Sequence, residues 1–151
     1  PRASTPRNLG GDDVTLTAAN PLLEAVNGLL QDATLQAAVG GRLGDSLPEN
    51  VLRPCTLFSI ASETDRRGFG TGNLPECDLR VYTFSDIGSL VEAQEINRQI
   101  VTLLKDATIT VTGFAQCGTI GYRETNTFED SILNGVKVHE VVSTFTIWVE
   151  Q

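Results

Sequence analysis

Apolar residues near the start of the chain recur at helical spacing and predict a first helix there. Leucines and valines over residues 22–30 repeat every three or four positions. Asn20 precedes this run as a candidate N-cap, and Pro21 would then occupy the first helical position. Residues 32–39 predict a second, short helix that a Gly-Gly pair ends. The folded part of the chain is therefore expected to begin with two helices.

The middle of the chain alternates apolar and polar residues and predicts two strands followed by a helix. Residues 54–61 and 76–84 have the period of two that strands show. Between them, residues 62–75 include three glycines in five positions and predict a flexible loop. An apolar stripe over residues 90–104 predicts a third helix, with Asn97 on its polar side.

The last third of the chain is predicted to be mostly strand. Residues 115–124 and 136–150 are read as strands, and residues 125–135 as the loop between them. The order of elements predicts an α+β fold, with an antiparallel or mixed β-sheet and two main helices packed on one face. Residues 1–19 have no sustained period and are expected to form an extended N-terminal arm before a single domain at residues 20–151.

The charge and hydropathy of the chain restrict its partners. The formal net charge of −8 argues against a dedicated nucleic-acid binder, because an acidic surface repels phosphates. The same charge would let DNA slide past the protein without adhering. The chain has no run of 18 consecutive apolar residues, so the sequence predicts no membrane-spanning helix. Residues 1–11 lack the apolar stretch of a secretion signal.

Few residues of the sequence are candidates for catalysis or for binding a cofactor. The single histidine, His139, lies among valines in a predicted strand, so we expect it on a sheet face rather than beside a nucleophile. The glycine-rich residues 68–72 do not lead into a helix and lack the Gly-Lys-Ser/Thr of a phosphate loop. The sequence therefore predicts a protein that is not an enzyme and needs no cofactor.

Metal binding is not expected either. The acidic residues near the predicted loop at 125–135 do not follow the calcium-loop pattern. These are Glu124, Glu129 and Asp130. The cysteines are far apart without metal-site spacing, and we expect buried free thiols. They are Cys55, Cys77 and Cys117.

Six motifs occur in a characteristic order. An Asp-x-x-Leu turn and a Val-Gly-Gly-Arg break lie within residues 29–43, followed by a Pro-led strand at 53–57. A Leu-Arg-Val-Tyr-Thr-Phe-Ser strand occupies residues 79–85, a Glu-Ala-x-x-Ile helix residues 92–96, and a long strand residues 143–149. Over residues 22–150, this order resembles the tail terminator, or tail completion, proteins of long-tailed bacteriophages.

The resemblance implies a structural virion protein of the tail or neck that assembles in the host cytoplasm. Such proteins form rings, expected to be hexameric, that end the tail tube at its head-proximal end and offer a surface for joining the head. The implied partners are other copies of the chain, the tail tube protein, and a head connector or stopper. DNA would pass through the lumen without specific binding.

Two segments are candidates for contacts with a neighbouring subunit or the tube. The arm offers Val14 and Leu16, and the long loop offers Arg66, Arg67 and Phe69. Unpatterned arms and long loops often become ordered on binding. One alternative is another neck protein, such as a connector, stopper or adaptor. A second alternative, from a different class, is a small ligand-binding α+β domain with a concave pocket.

Overall fold

A computed structural model of the chain describes residues 18–65, 75–116, 118–133 and 135–150, and these residues form an α+β fold as predicted. Three helices and six strands lie within them. In chain order they are α1 (Ala19–Leu29), α2 (Ala33–Val39), β1 (Leu43–Gly44), β2 (Cys55–Asp65), β3 (Pro75–Asp86), α3 (Leu90–Leu104), β4 (Ala115–Gln116), β5 (Gly121–Leu133) and β6 (Val136–Glu150). None of the helices in this described part is long and apolar enough to cross a membrane.

The sheet is mixed and has β6 at its centre. The strand order is β1-β2-β3-β6, and both β5 and β4 pair with the other side of β6. The four long strands are antiparallel throughout, whereas the short β1 is parallel to β2. On β6, residues 141, 143, 145, 147 and 149 are all buried, which is the two-residue period of a strand with one face in the core.

All three helices contribute to a core on one face of the sheet. Leu22 and Val26 of α1 and Ile96 and Ile100 of α3 are buried in the same cluster as the central sheet residue Phe145. Burying one such side chain contributes roughly 1.5–3 kcal/mol relative to leaving it in water. The opposite face of the sheet, here called the outer face, is covered only near one end. There Val51 packs with Cys55, Phe84 and Val138.

The start of α1 differs from the sequence prediction. The helix begins at Ala19 rather than Pro21, and Ala18 rather than Asn20 occupies the N-cap position. The N–H of Ala18 donates to both carboxylate oxygens of Glu63 on β2, at 3.1 Å each. A carboxylate at a helix N-terminus satisfies an otherwise unpaired donor and is favoured by the helix dipole. A distant strand residue thus replaces the local cap.

The start of α2 agrees with the prediction. The side chain of Asp32 accepts hydrogen bonds from the backbone N–H groups of Thr34 and Leu35, at 3.1 Å each. The helix ends at Gly40, whose φ of 60° is left-handed and costs glycine little. The buried Leu35 and Val39 then join the main core.

Replacing Asp32 with alanine should destabilise the protein by about 1 kcal/mol, because two N–H groups lose their acceptor. The measurement is the free energy of unfolding in denaturant. Asp32→Asn keeps a side-chain oxygen at the cap and should restore most of the loss. An alanine variant as stable as the original would contradict the capping role of this side chain.

Two further predictions are wrong. Residues 125–135 are not a loop, because β5 continues to Leu133 and pairs with β6 as far as Val136. Asn97 is not on the exposed side of α3, because only 7% of it is accessible to solvent. Its side-chain oxygen accepts a hydrogen bond from the hydroxyl of Ser143 on β6. A buried polar pair here replaces the apolar contact expected at a helix–sheet interface.

Candidate interaction surface

The single histidine lies opposite a serine, but no hydrogen bond joins the two side chains in this structure. His139 on β6 is the cross-strand partner of Ser85 on β3, and both are buried. The backbone N–H of Gly88 donates to Nε2 of His139 at 3.2 Å, so this ring nitrogen is already engaged as an acceptor. Nδ1 and the Ser85 hydroxyl have no hydrogen-bond partner within the described part of the chain. A nucleophile needs a hydrogen bond to its base, and this pair has none.

The described cysteines are buried free thiols, as expected. Both Cys55 and Cys77 are fully buried, whereas Cys117 lies outside the described residues. Burial raises the pKa of the Cys77 thiol to about 12, and the carboxylates of Glu63 and Glu76 add to this effect. Burial also raises the pKa of Cys55. A thiol that stays protonated is a poor nucleophile and a poor metal ligand.

The raised pKa of Cys77 predicts a loss of stability at alkaline pH. An unfolded thiol ionises near pH 8.5, whereas the folded one holds its proton until a pH of about 12. The contribution to stability is therefore complete below about pH 8.5 and is lost as the pH rises towards 12. The denaturant midpoint should fall between about pH 8 and pH 10, and it should fall less in a Cys77→Ala variant. Equal slopes for the two proteins would contradict this assignment.

The outer face of the sheet has a polar depression of about 450 Å³. Side chains of β3, β5 and β6 line it: Asp78, Arg80, Tyr82, Arg123, Glu124, Asn126, Phe128, Glu140, Val142 and Thr144. Arg80 forms an ion pair with Asp78 at 3.2 Å, and Asn126 donates to Glu124 at 2.7 Å. The pocket contains no histidine, cysteine or serine. Two of its five charged side chains, Arg80 and Asp78, neutralise each other, and the lining is mostly polar, as in a wet contact surface.

One end of the domain concentrates the exposed apolar side chains. At this end β3 and β5 finish, β2 and β6 begin, and α3 starts. Of the seven large hydrophobic residues that are exposed in the described part of the chain, six lie here. They are Leu52, Ile87, Val91, Phe128, Ile132 and Val136, which we call the apolar end. Val91 is the most exposed, at 78%. Such a concentration is typical of a surface that contacts another protein.

The long strand β5 lies at an edge of the sheet. In the described part of the chain, it pairs with β6 on one side and with no strand on the other. Two bulges interrupt the pairing, between Tyr122 and Glu124 and between Phe128 and Ser131. Between them, residues 124–128 pair with β6 in a regular register. An edge of this kind offers unpaired N–H and C=O groups to a further strand.

A chain of hydroxyl groups fixes β5 to the core. Because Ser143 donates to Asn97, the hydroxyl of Thr125 must donate to Ser143, across 2.8 Å. Tyr122 in turn donates its phenol proton to Thr125. The ring of Tyr122 also packs at a tilt against Phe145, with their centroids 5.6 Å apart. The edge strand is therefore held rigidly although most of its side chains are exposed.

The family model of the tail completion protein gp17 matches residues 26–150. The chain belongs to this family. The match confirms the resemblance seen in the sequence, and it identifies the chain as a structural protein of a phage tail, located in the virion. A comparison with curated protein sequences finds no significant match.

The fold of this tail completion protein also occurs in a solved virion structure. A chain from the virion of a native gene transfer agent (GTA) particle superposes with a TM-score of 0.71 at 20% identity. The similarity covers 86% of the present chain and 95% of that chain. At this identity the likeness concerns the fold alone.

The residues singled out from the sequence of this tail completion protein cannot be compared with these surfaces. Val14, Leu16, Arg66, Arg67 and Phe69 all lie outside the described residues. The apolar end and the β5 edge were not predicted. The apolar residues Ile132 and Val136, beside the Asn-Gly pair of the β5–β6 connection, were the only signal that could have indicated them.

Proposed function

We propose that the protein forms a ring, expected to be a hexamer, that terminates the tail tube at its head-proximal end and provides the surface for joining the head. The observation that carries this proposal is the match of the tail completion family over residues 26–150. The protein would act through its surfaces and catalyse no reaction. Its partners would be further copies of itself, the tube protein, and a head connector or stopper.

The apolar end supports a stacking contact. In a ring whose axis runs roughly along the strands, the strand ends form its upper and lower rims. The end with Val91 and Ile132 would then be one rim, and the opposite ends of β2 and β3, at Asp65 and Pro75, would lie on the other. An apolar rim can bury its surface only against another component, which is what capping or joining requires.

The charge of the protein supports passage of DNA through such a ring. The chain has a formal net charge of −8, and binding to DNA depends on neutralising phosphates with cations. A lumen without a cationic stripe would let DNA slide.

The test is to add the purified full chain to tail tube subunits while they polymerise and to measure tube length by electron microscopy. We expect tubes to stop at a defined length with the protein at one end. Unchanged tube length, combined with binding to filled heads, would instead favour a connector or stopper of the neck. A protein that binds neither tubes nor heads would refute the proposal.

The segments chosen from the sequence enter the proposal as tube or subunit contacts. Because Asp65 of β2 pairs directly with Pro75 of β3, and a tight hairpin needs about two turn residues, a loop variant should replace residues 66–74 by Asn-Gly and leave both strands intact. We expect this variant to stay folded and to lose tube capping. A second variant, with residues 1–17 deleted, tests the arm with Val14 and Leu16. If both variants cap tubes as well as the original protein does, these segments do not form the proposed tube or subunit contacts.

A further inference from the structure

In the described part of the chain, both outer edges of the antiparallel sheet lack a partner strand over several residues. On β5 the regular stretch is residues 124–128, between the two bulges. At the opposite edge, β1 covers only Thr56 and Leu57 of β2, so residues 58–65 have no strand beside them in the described part of the chain. Neither β5 nor β2 contains a proline or a lysine, the residues that commonly protect an edge.

The directions of β2 and β5 allow these two edges to pair with each other as antiparallel strands. The order β2-β3-β6-β5 contains four antiparallel strands, so β2 and β5 run in opposite directions. A second copy placed beside the first in the same orientation would bring its β2 next to β5 with antiparallel polarity. Its helices would lie on the same face. One contact of this type, repeated around an axis, closes into a ring and leaves no edge open.

We propose that β5 of one subunit pairs with β2 of the next and that this pairing is the subunit contact of the ring. The pairing joins residues 124–128 of one copy to the stretch around residues 58–65 of its neighbour. It deepens the ring proposed above and rests on it. A two-fold contact between two β5 strands would also be antiparallel, but it would leave both β2 edges open and could not extend into a ring.

Within one subunit, β5 is already fixed in position, which favours its pairing with β2 of a neighbour. Its hydroxyl chain to Asn97 and the packing of Tyr122 on Phe145 already hold the strand in place. Little conformational freedom is then lost when a neighbour adds to the edge, and preorganisation of this kind strengthens association. Asn126 and Thr127 are exposed and available at the centre of the regular stretch.

Cysteine cross-linking in the full chain tests the pairing. The double variant Asn126→Cys with Ser62→Cys, in a background where Cys117 is serine, places one exposed thiol on each edge. A bis-maleimide reagent spans a register error of two residues, or about 7 Å. In rings isolated directly, or formed after addition of tail tubes, we expect a ladder of cross-linked species up to the closed oligomer. The native Cys55 and Cys77 are buried and should not react.

Three controls separate the possible failures. Each single variant should give no cross-linked species, and a dimer from Asn126→Cys alone would show a two-fold β5 contact and overturn the proposal. The pair Asn126→Cys with Thr102→Cys, which is exposed on α3, should not form a ladder. Rings that are visible in negative stain but do not cross-link would overturn the strand pairing and leave the ring function standing. A chain that forms no ring under any condition would overturn both.

A proline scan gives a second measurement. Adjacent residues of a strand direct their N–H groups to opposite sides, so one of Asn126→Pro and Thr127→Pro removes a bond to β6 and the other alters only the open edge. We expect one variant to be less stable and the other to keep the melting temperature of the original while losing ring formation. Ring formation by a stable proline variant would contradict the pairing.

Discussion

Replacing Phe145 by alanine should lower the free energy of unfolding by about 3–5 kcal/mol, the range measured for large buried aromatic residues. Phe145 is fully buried on the central strand β6 and belongs to the main core between the sheet and the helices. The ring also supports Tyr122, so its removal leaves a cavity and loosens the edge strand. Because small domains have total stabilities of about 5–15 kcal/mol, the variant should be close to unfolding.

Equilibrium denaturation measures this loss, and two controls define it. Phe145→Leu keeps most of the buried volume and should lose much less stability. Phe128→Ala removes the same ring from an exposed position on the neighbouring strand, where half of the residue is accessible, and should change stability little. Similar losses for Phe145→Ala and Phe128→Ala would contradict the burial pattern of the sheet.

Introducing aspartate at the apolar end should abolish attachment of the protein to its partner in the tail. The double variant Val91→Asp with Ile132→Asp changes two exposed residues, so the fold should tolerate it. At Val91 an acidic residue lies in the first turn of α3, where the helix dipole favours it. If each side chain is buried on assembly, its loss removes roughly 1.5–3 kcal/mol. Binding should therefore fall by about 100-fold or more.

Co-sedimentation with tail tubes, and separately with filled heads, measures this effect and shows which partner the end contacts. Thr108→Asp with Thr110→Asp is the matched control, because it adds the same charge beyond the other end of α3. It should leave that attachment unchanged. Full attachment of the Val91 and Ile132 variant to both tubes and heads would contradict a role of the apolar end in these contacts.

Periodicity predicted the elements that bury one face. The strand at residues 136–150 has the bounds observed for β6, and the stripe of α3 has the bounds of the helix. In these segments the apolar residues recur at the period of the element because they all contact a single core. The local pattern is therefore enough to predict the element and its bounds. The fold class and the layer of helices followed from their order.

The predictions that failed concern features that depend on contacts with residues far away in the sequence. Residues 125–133 of β5 have polar side chains on both faces and the sequence predicts a loop there, since only their pairing with β6 makes them a strand. The start of α1 depends on Glu63, which lies far away in sequence. Asn97 is polar by type but buried through its bond to Ser143. None of these partners can be found from the spacing of residues around the position concerned.

The interaction surfaces were unpredictable for a related reason. Val91 and Ile132 are ordinary apolar residues within predicted elements or loops, and their type suggests burial. Their exposure depends on which end of the sheet the helices and the loop before β2 leave uncovered, and that is a property of the whole fold. The candidate residues that were chosen from the sequence lie outside the described part of the chain.

The central position of β6 also determines the order in which the chain can fold. β5 and β6 are connected by a short turn with a left-handed Gly135, so this hairpin can form early from neighbouring residues. β3 must then join β6 across a long intervening segment, as the pairing of Val81 with Ser143 requires. Closing that loop costs chain entropy before any contact compensates for it, so we expect the docking of β3 to be slower than formation of the hairpin. Until it occurs, the hairpin would expose two strand edges, and we expect a nascent subunit to be most prone to aggregation in this interval.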